Sequence, residues 1–152
     1  MPAGSPVQIA VIGPSSSTRE ETLAAEEVGS ILAKNGAILI SGGLGGVMEA
    51  SCKGAREEGG VTVGILPHTG VGNRHLSVLI RTGLSHARNV LVVASADAVV
   101  AVGGAYGTLS EIAIALKIEK PVFGYKSWNI DGVQPCETPG EAAIRALDAV
   151  RR

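Results

Sequence analysis

Two glycine-rich stretches carry the residue types that suit the binding of an anion. Residues 41–50 read SGGLGGVMEA and residues 102–111 read VGGAYGTLSE, each after a short apolar run. Glycine leaves backbone N–H groups open to a ligand, and such groups at the start of a helix favour a phosphate. The alternative is that these glycines serve only tight turns and close helix packing. The residues predicted to bind the ligand are Gly42, Gly43, Gly45, Gly46, Gly104, Tyr106, Gly107 and Thr108.

The spacing of the glycines argues against two familiar nucleotide sites. In the first stretch, Val47 and Met48 occupy the place where a GxGxxG fingerprint would need its last glycine. The chain also lacks the GK[ST] sequence of a P-loop. We therefore expect a phosphate site of another type, and not an ordinary NAD or ATP site.

Two charged residues could act on such a ligand. Glu111 follows Thr108 by three residues, as Glu49 follows Gly46. The Glu111 carboxylate could therefore close a capping box with Thr108. Alternatively, it could contact a ribose and support glycosidic cleavage. Arg88 lies in or beside a mostly apolar segment, where a guanidinium either clamps a phosphate or forms a surface ion pair. Spacing alone leaves both pairs of interpretations open.

Short apolar runs that alternate with helical patterns must position these residues. Strands are predicted at 7–12, 37–40, 61–66, 98–102 and 122–125, and helices at 18–34, 47–57, 84–94, 109–118 and 140–150. This order is typical of an α/β, Rossmann-like fold of three layers, with a mainly parallel sheet and helices on both faces. Residues 89–102 resemble two strands by propensity, but the gap between them is too short for a parallel crossover, so we predict a helix and then a strand. Both glycine loops are then expected at the carboxyl edge of the sheet.

Composition limits the class of protein and of partner. The 152 residues are predicted to form a single domain, with a loose tail at 1–6. A formal net charge of -1 without a Lys/Arg cluster argues against a nucleic-acid partner. The absence of a leader pattern or a long apolar stretch argues against a membrane partner and predicts a cytoplasmic location. The two cysteines and three histidines have no metal-binding spacing, so no metal site is expected.

Two further segments bear on the site and on assembly. The polar loop at 67–77 could close over a ligand, with Asn73 and Arg74 in reach of it. The serines at 15–17 could supply hydroxyl groups to the same edge of the sheet, but a cap for the first helix is the favoured interpretation. The predicted helix at 109–118 is apolar on more than one face and needs cover on both sides. A second subunit is the expected cover.

The residues at 103–111, together with Arg88 and the first glycine loop, resemble the Lonely guy superfamily. Its phosphoribohydrolases carry a PGGxGTxxE motif and an upstream catalytic arginine, and the interval from Arg88 to Glu111 matches theirs without a gap. The similarity runs from about Val7 to Tyr125. The old "lysine decarboxylase" label of this family is set aside, since nothing in the sequence would hold pyridoxal phosphate.

Three departures from the motif favour one branch of the superfamily. Gly103 replaces the motif's proline, Ala105 its second glycine, and Asn89 the lysine after the arginine. The chain is thus more similar to the compact SLOG branch that includes molybdenum cofactor carrier proteins. That resemblance implies a homodimer or higher homo-oligomer, no required cofactor, and a small phosphorylated ligand, with molybdenum cofactor as bound cargo.

Two main hypotheses about function follow, and whether the protein is an enzyme is left open. The first is a binding or carrier protein for a phosphorylated, nucleotide-like ligand. The second is a phosphoribohydrolase that cleaves nucleoside 5'-monophosphates to base and ribose 5-phosphate, in which Arg88 and Glu111 would be the catalytic residues. A regulatory nucleotide sensor, which would keep its ligand intact, is a third.

Overall fold

A computed structural model of the protein describes residues 4–151. The strands, in chain order, are β1 Gln8–Ile12, β2 Ile38–Ser41, β3 Thr62–Leu66, β4 Val78–Arg81, β5 Ala98–Val102, β6 Val122–Tyr125 and β7 Val133–Cys136. The helices are α1 Arg19–Lys34, α2 Val47–Glu57, α3 Arg88–Ala94, α4 Tyr106–Lys117 and α5 Pro139–Val150, with a short 3₁₀ turn at Ser85–Ala87.

The strands form one seven-stranded sheet in the order β4-β3-β2-β1-β5-β6-β7. All neighbouring pairs in this order are parallel. The chain moves outward from β1 through β2 and β3 to β4, and then returns to the other side of β1 at β5. In sheets of this kind, ligands bind beyond the carboxyl ends of the strands where the direction reverses, which here is between β1 and β5.

Apolar residues cover both faces of the sheet, which explains why its strands read as continuous apolar runs. Ile9 and Val11 of β1 belong to the cluster that includes residues of α1, α2 and α5, whereas Ala10 and Ile12 belong to the cluster that includes residues of α3 and α4. This alternation is the ordinary period of a strand. The predicted Rossmann-like α/β fold, with a parallel sheet and helices on both faces, is confirmed.

Several predicted boundaries need correction. The edge strands β4 and β7 were not predicted, α3 begins at Arg88 instead of 84, and α4 begins at Tyr106 instead of 109. The capping box at the start of α1 is confirmed, because Thr18 and Glu21 bond reciprocally, but the serines at 15–17 do not cap this helix.

Two other expectations concern the ends of the chain and membranes. Of the predicted tail at 1–6, residues 1–3 lie outside the described residues, and residues 4–6 are exposed and belong to no helix or strand. Within residues 4–151, no helix has the length and apolar character needed to cross a bilayer.

Candidate functional site

A cavity of about 240 Å³ lies at the carboxyl ends of β1, β2 and β5. We call it the switch-point cavity, because it sits where the strand order reverses. Its walls come from the loop after β1, the two glycine loops and the start of α3. The lining residues are Gly13, Pro14, Ser15, Leu44, Met48, His86, Arg88, Asn89, Ala105, Gly107, Thr108 and Glu111.

Arg88 is the buried cation of this cavity, and the surrounding backbone fixes its orientation. Its Nε donates to the carbonyl of Ile65 (3.0 Å) and its Nη2 to the carbonyl of Gly42 (3.4 Å), while Nη1 donates to Asn89 Oδ1. A guanidinium has five N–H groups, so two have no acceptor within the described residues. Burial lowers the pKa of Arg88, and the nearby Glu111 charge opposes that effect. The group stays charged at neutral pH and can donate to an anion.

Glu111 is the buried acid of the same cavity. Its side chain is 8% exposed and makes no hydrogen bond within residues 4–151. Burial raises the pKa of this carboxyl to about 7, although the charge of Arg88 lowers it. In the described part of the chain the two groups form no direct ion pair. Near neutral pH, Glu111 is therefore present in both protonation states and can donate or accept a hydrogen bond.

Thr108 supplies an unsatisfied hydroxyl to the cavity. The residue is 2% exposed, and its Oγ1 has no hydrogen-bond partner among residues 4–151. A buried hydroxyl without a partner is costly, so it calls for an explanation. A ligand atom in the switch-point cavity would satisfy it.

Of the two interpretations of Glu111, the capping box with Thr108 is wrong. The N-cap of α4 is Ala105, which has no side chain able to cap, so Thr108 already lies in the first turn and Glu111 one turn further on. The residue that caps α2, Gly46, also supplies no side-chain hydrogen bond. Two helices therefore begin at this edge with first-turn N–H groups that no side chain caps, an arrangement that favours an anion.

In the first glycine loop, neighbouring protein atoms account for most of the glycines. A Cβ on Gly42 would lie 2.7 Å from Arg88 Nη2. Gly43 and Gly46 have positive φ angles (75° and 61°), and a Cβ would collide with the Leu66 side chain and with the Pro14 carbonyl, respectively. Gly45 lines the neighbouring cavity described below. This loop thus shapes the site and holds Arg88.

The second glycine loop is different. A Cβ on Gly104 would lie 2.7 Å from Trp128 Nε1, so this glycine makes room for an indole. Gly107 lines the switch-point cavity and has no atom within 4 Å of the place where a Cβ would stand. Tyr106 is 84% exposed and stacks on Trp128. Of the ten sequence-predicted site residues, the structure places Arg88, Gly107, Thr108 and Glu111 in the wall of one cavity.

Loop 67–77 borders a larger neighbouring cavity of about 680 Å³, which shares Leu44 with the switch-point cavity. Asn73 does not line the switch-point cavity, but it joins loop 67–77 to the first glycine loop by hydrogen bonds. Its N–H donates to the Gly43 carbonyl (2.9 Å) and its Nδ2 to the Leu44 carbonyl (3.0 Å). Arg74 lines a separate cavity with Lys53 and His75.

Sequence reasoning missed several residues of the site. Gly13 and Pro14 directly follow β1, so the rule that placed the glycine loops at the carboxyl edge could also have found them. Asn89, which orients Arg88 and donates to Ser110 (3.0 Å), carried no separate signal. Trp128 carried none either, because its contact with the second loop is long-range. Across residues 4–151, no cluster of His, Cys, Asp and Glu side chains is arranged to hold a metal ion.

Comparisons with known proteins identify the family of this chain and the proteins that share its fold. The model of the SLOG cluster4 family, LDcluster4, matches residues 6–146. A protein of Archaeoglobus fulgidus, known only as uncharacterized, is 49% identical over 138 residues, or 90% of this chain and 91% of its own length. The structure of the molybdenum cofactor binding protein from Rippkaea orientalis superposes with a TM-score of 0.91 and 32% identity, over 97% of this chain and 99% of that one. The structure of the molybdenum cofactor carrier protein of Chlamydomonas reinhardtii superposes with a TM-score of 0.91 and 30% identity, over 97% of this chain and 100% of that one.

Proposed function

This chain belongs to the SLOG cluster4 family, and we propose that it is a binding or carrier protein for a phosphorylated, nucleotide-like ligand. Membership in the compact branch of the superfamily, expected from the motifs, is confirmed by the family match and by its structural neighbours. Two of those neighbours bind or carry molybdenum cofactor. That similarity supports the same phosphorylated pterin as the cargo of this protein.

The observation that carries the proposal is the convergence of phosphate-binding groups on the switch-point cavity. The free N–H groups of Arg88, the unpartnered hydroxyl of Thr108 and the uncapped start of α4 all meet there. Each of these groups favours an anion, and Arg88 adds the formal charge that a phosphate needs. Gly107 leaves open space beside them. We propose that the phosphate of the ligand occupies this position.

Thr108→Val tests the proposal because it removes only the hydroxyl. Since that hydroxyl has no protein partner, the substitution should raise the free energy of unfolding by about 1 kcal/mol. It should also weaken binding of ribose 5-phosphate and nucleoside monophosphates by about tenfold, as expected for the loss of a hydrogen bond to a charged group. Calorimetric titration and urea denaturation measure the two effects.

Thr62→Val is the matched control. Thr62 is also buried, but its hydroxyl donates to the His75 carbonyl (2.5 Å), and neither residue lines the cavity. Its loss should lower stability by about 1–3 kcal/mol and leave affinity unchanged. Unchanged affinity in Thr108→Val, or no affinity of the wild type for any phosphorylated ligand in the panel, would contradict the proposed site.

A phosphoribohydrolase is the second candidate, and one observation favours it. Arg88 and Glu111 line the same cavity, and a carboxyl with a pKa of about 7 suits proton transfer at neutral pH. Incubation with nucleoside monophosphates, followed by chromatography of the free base, tests this activity. Release that disappears in Glu111→Gln would show an enzyme, whereas intact ligand retained by the protein would show a carrier or sensor.

We also propose that the protein assembles into a homodimer or a higher homo-oligomer. Val90 and Leu91 on α3 and Ile118 at the end of α4 expose 38–45% of their surface. These side chains belong to the two helices that cover one face of the sheet. Their exposure supports burial against a second copy, which the mass of the protein in solution would test.

A further inference from the structure

The exposed Tyr106 and the partly buried Trp128 form an aromatic pair, which we call the aromatic shelf. The whole chain has only one Trp, two Tyr and one Phe, so two of its few aromatic side chains stand together here. Their ring centroids are 6.3 Å apart and their planes differ by 27°. Tyr106 remains 84% exposed in spite of this contact. Tyr106 therefore lies outside the apolar core, whereas Trp128 also packs against the core cluster that includes residues of α3 and α4.

The shelf is fixed to the wall of the switch-point cavity. Trp128 Nε1 donates to the carbonyl of Ala105 (3.1 Å), and Gly104 leaves room for the indole. Tyr106 stands between Ala105 and Gly107, which both line the cavity. The aromatic shelf is thus attached to the loop that lines the cavity, although neither of its rings is among the lining residues.

We infer that the aromatic shelf stacks the planar heteroaromatic ring of the ligand whose phosphate lies in the switch-point cavity. This inference rests on the proposed function and adds to it the place where the purine, pyrimidine or pterin ring of the phosphorylated ligand binds. Stacking on an exposed aromatic side chain is favourable and tolerates different rings, because every such ring has a π-face. The Tyr106 ring is exposed and therefore open to a ligand. The Trp128 indole is held in place by its hydrogen bond to the Ala105 carbonyl.

Trp128 is the only tryptophan of the chain, so its fluorescence reports on the shelf directly. Titration of the wild-type protein with adenosine 5'-monophosphate, or with a phosphorylated pterin, should change Trp128 emission. Ribose 5-phosphate should bind without that change, because it carries the phosphate but no ring. Calorimetry measures the affinity of each ligand independently of the fluorescence. The nucleotide and pterin arms show which ring binds more tightly.

Tyr106→Leu and Tyr106→Phe are the variants that separate stacking from other effects. The leucine variant should lose about tenfold in affinity for the ring-bearing ligands and keep its affinity for ribose 5-phosphate. The phenylalanine variant keeps a ring and should bind as the wild type does. Since Tyr106 is exposed, neither change is expected to unfold the protein.

The possible failures can be told apart. Equal affinity of the wild type for ribose 5-phosphate and the ring-bearing ligands would overturn the stacking inference and leave the phosphate site standing. Absence of binding by all of them would overturn the proposed function itself. Trp128 emission that changes on dilution without ligand, together with a lower solution mass of Tyr106→Leu, would show that the shelf contacts a second copy of the chain instead.

Discussion

The glycine loop after β2 and the glycine loop after β5 flank the same strand but differ in what lies beside each glycine. In the first loop, Gly42, Gly43 and Gly46 face side chains or carbonyls of the protein itself. In the second, Gly107 faces open space in the wall of the switch-point cavity. Packing therefore accounts for these glycines of the first loop, whereas it does not account for Gly107 in the second.

The largest expected effect is on the free energy of unfolding, and in a single pair of variants it should distinguish a glycine required by packing from one that is not. Gly46→Ala should lower the free energy of unfolding by about 2–4 kcal/mol, because a Cβ at this positive φ would collide with backbone atoms of Pro14 and Ser15 that cannot rotate away. Gly107→Ala should change stability by less than about 1 kcal/mol, since nothing occupies the added volume and alanine suits a helix better. Urea denaturation of both variants measures the difference.

Ligand binding completes this comparison. Gly107→Ala should fold normally and yet bind phosphorylated ligands more weakly, because its methyl group enters the cavity that Arg88 and Thr108 line. If Gly107→Ala bound ligands as tightly as the wild type, the open space at this position would have no role in binding. A stable Gly46→Ala would show that the first loop can rearrange, which would weaken the packing explanation.

The acids that follow the two loops give the next prediction. Burial raises the pKa of Glu111 to about 7 in the folded protein, against 4.5 for an ordinary carboxyl. Between these values the folded state holds a proton that the unfolded state has released, so stability falls as pH rises from about 4.5 to 7. Glu111→Gln should remove this loss. The free energy of unfolding of the variant, relative to that of the wild type, should therefore rise by about 1–3 kcal/mol between pH 5 and pH 8.

Denaturation curves at several pH values measure that gain. Glu49→Gln is the matched control, because Glu49 stands three residues after Gly46 as Glu111 stands three after Thr108. Glu49 is only partly buried, whereas Glu111 is 8% exposed. A wild type and a Glu111→Gln variant with parallel curves over this pH range would argue that Glu111 is not held in an apolar setting.

The central strands could be predicted from the sequence, and so could the edge of the sheet at which the candidate site lies. The sequence patterns that indicate them are local. β5, β6 and α2 have the predicted boundaries, since apolar runs and glycine stops mark them directly. The edge strand β7 escaped notice because it is four residues long and contains Pro135, and proline in a strand is tolerated chiefly at an edge. The strand β4 lies at the other edge and is largely exposed, so it lacks the continuous apolar signal of a buried strand.

The candidate site could be predicted only in part for a related reason. Its location followed from strand order, but the separate task of each glycine depends on long-range neighbours such as Trp128 and Arg88. The start of α4 was misplaced because Gly107 lies inside its first turn, where a glycine is usually a breaker. That error also left a capping box between Thr108 and Glu111 open as an interpretation, although the structure places Glu111 one turn deeper and buried.

The smallest expected effect concerns Gly104, which, like Gly103 beside Glu21, is a glycine of the second loop where an added Cβ would meet a protein side chain. Gly104→Ala would place a Cβ 2.7 Å from Trp128 Nε1, and this side chain, unlike backbone, can shift away. We expect a stability loss of only about 0.5–1 kcal/mol, together with a change in Trp128 emission, because the hydrogen bond from the indole to the Ala105 carbonyl would be disturbed. Fluorescence spectra and denaturation of the same samples measure both. A loss as large as that of Gly46→Ala would mean that the second loop is packed as rigidly as the first, and the difference between the loops would then rest on Gly107 alone.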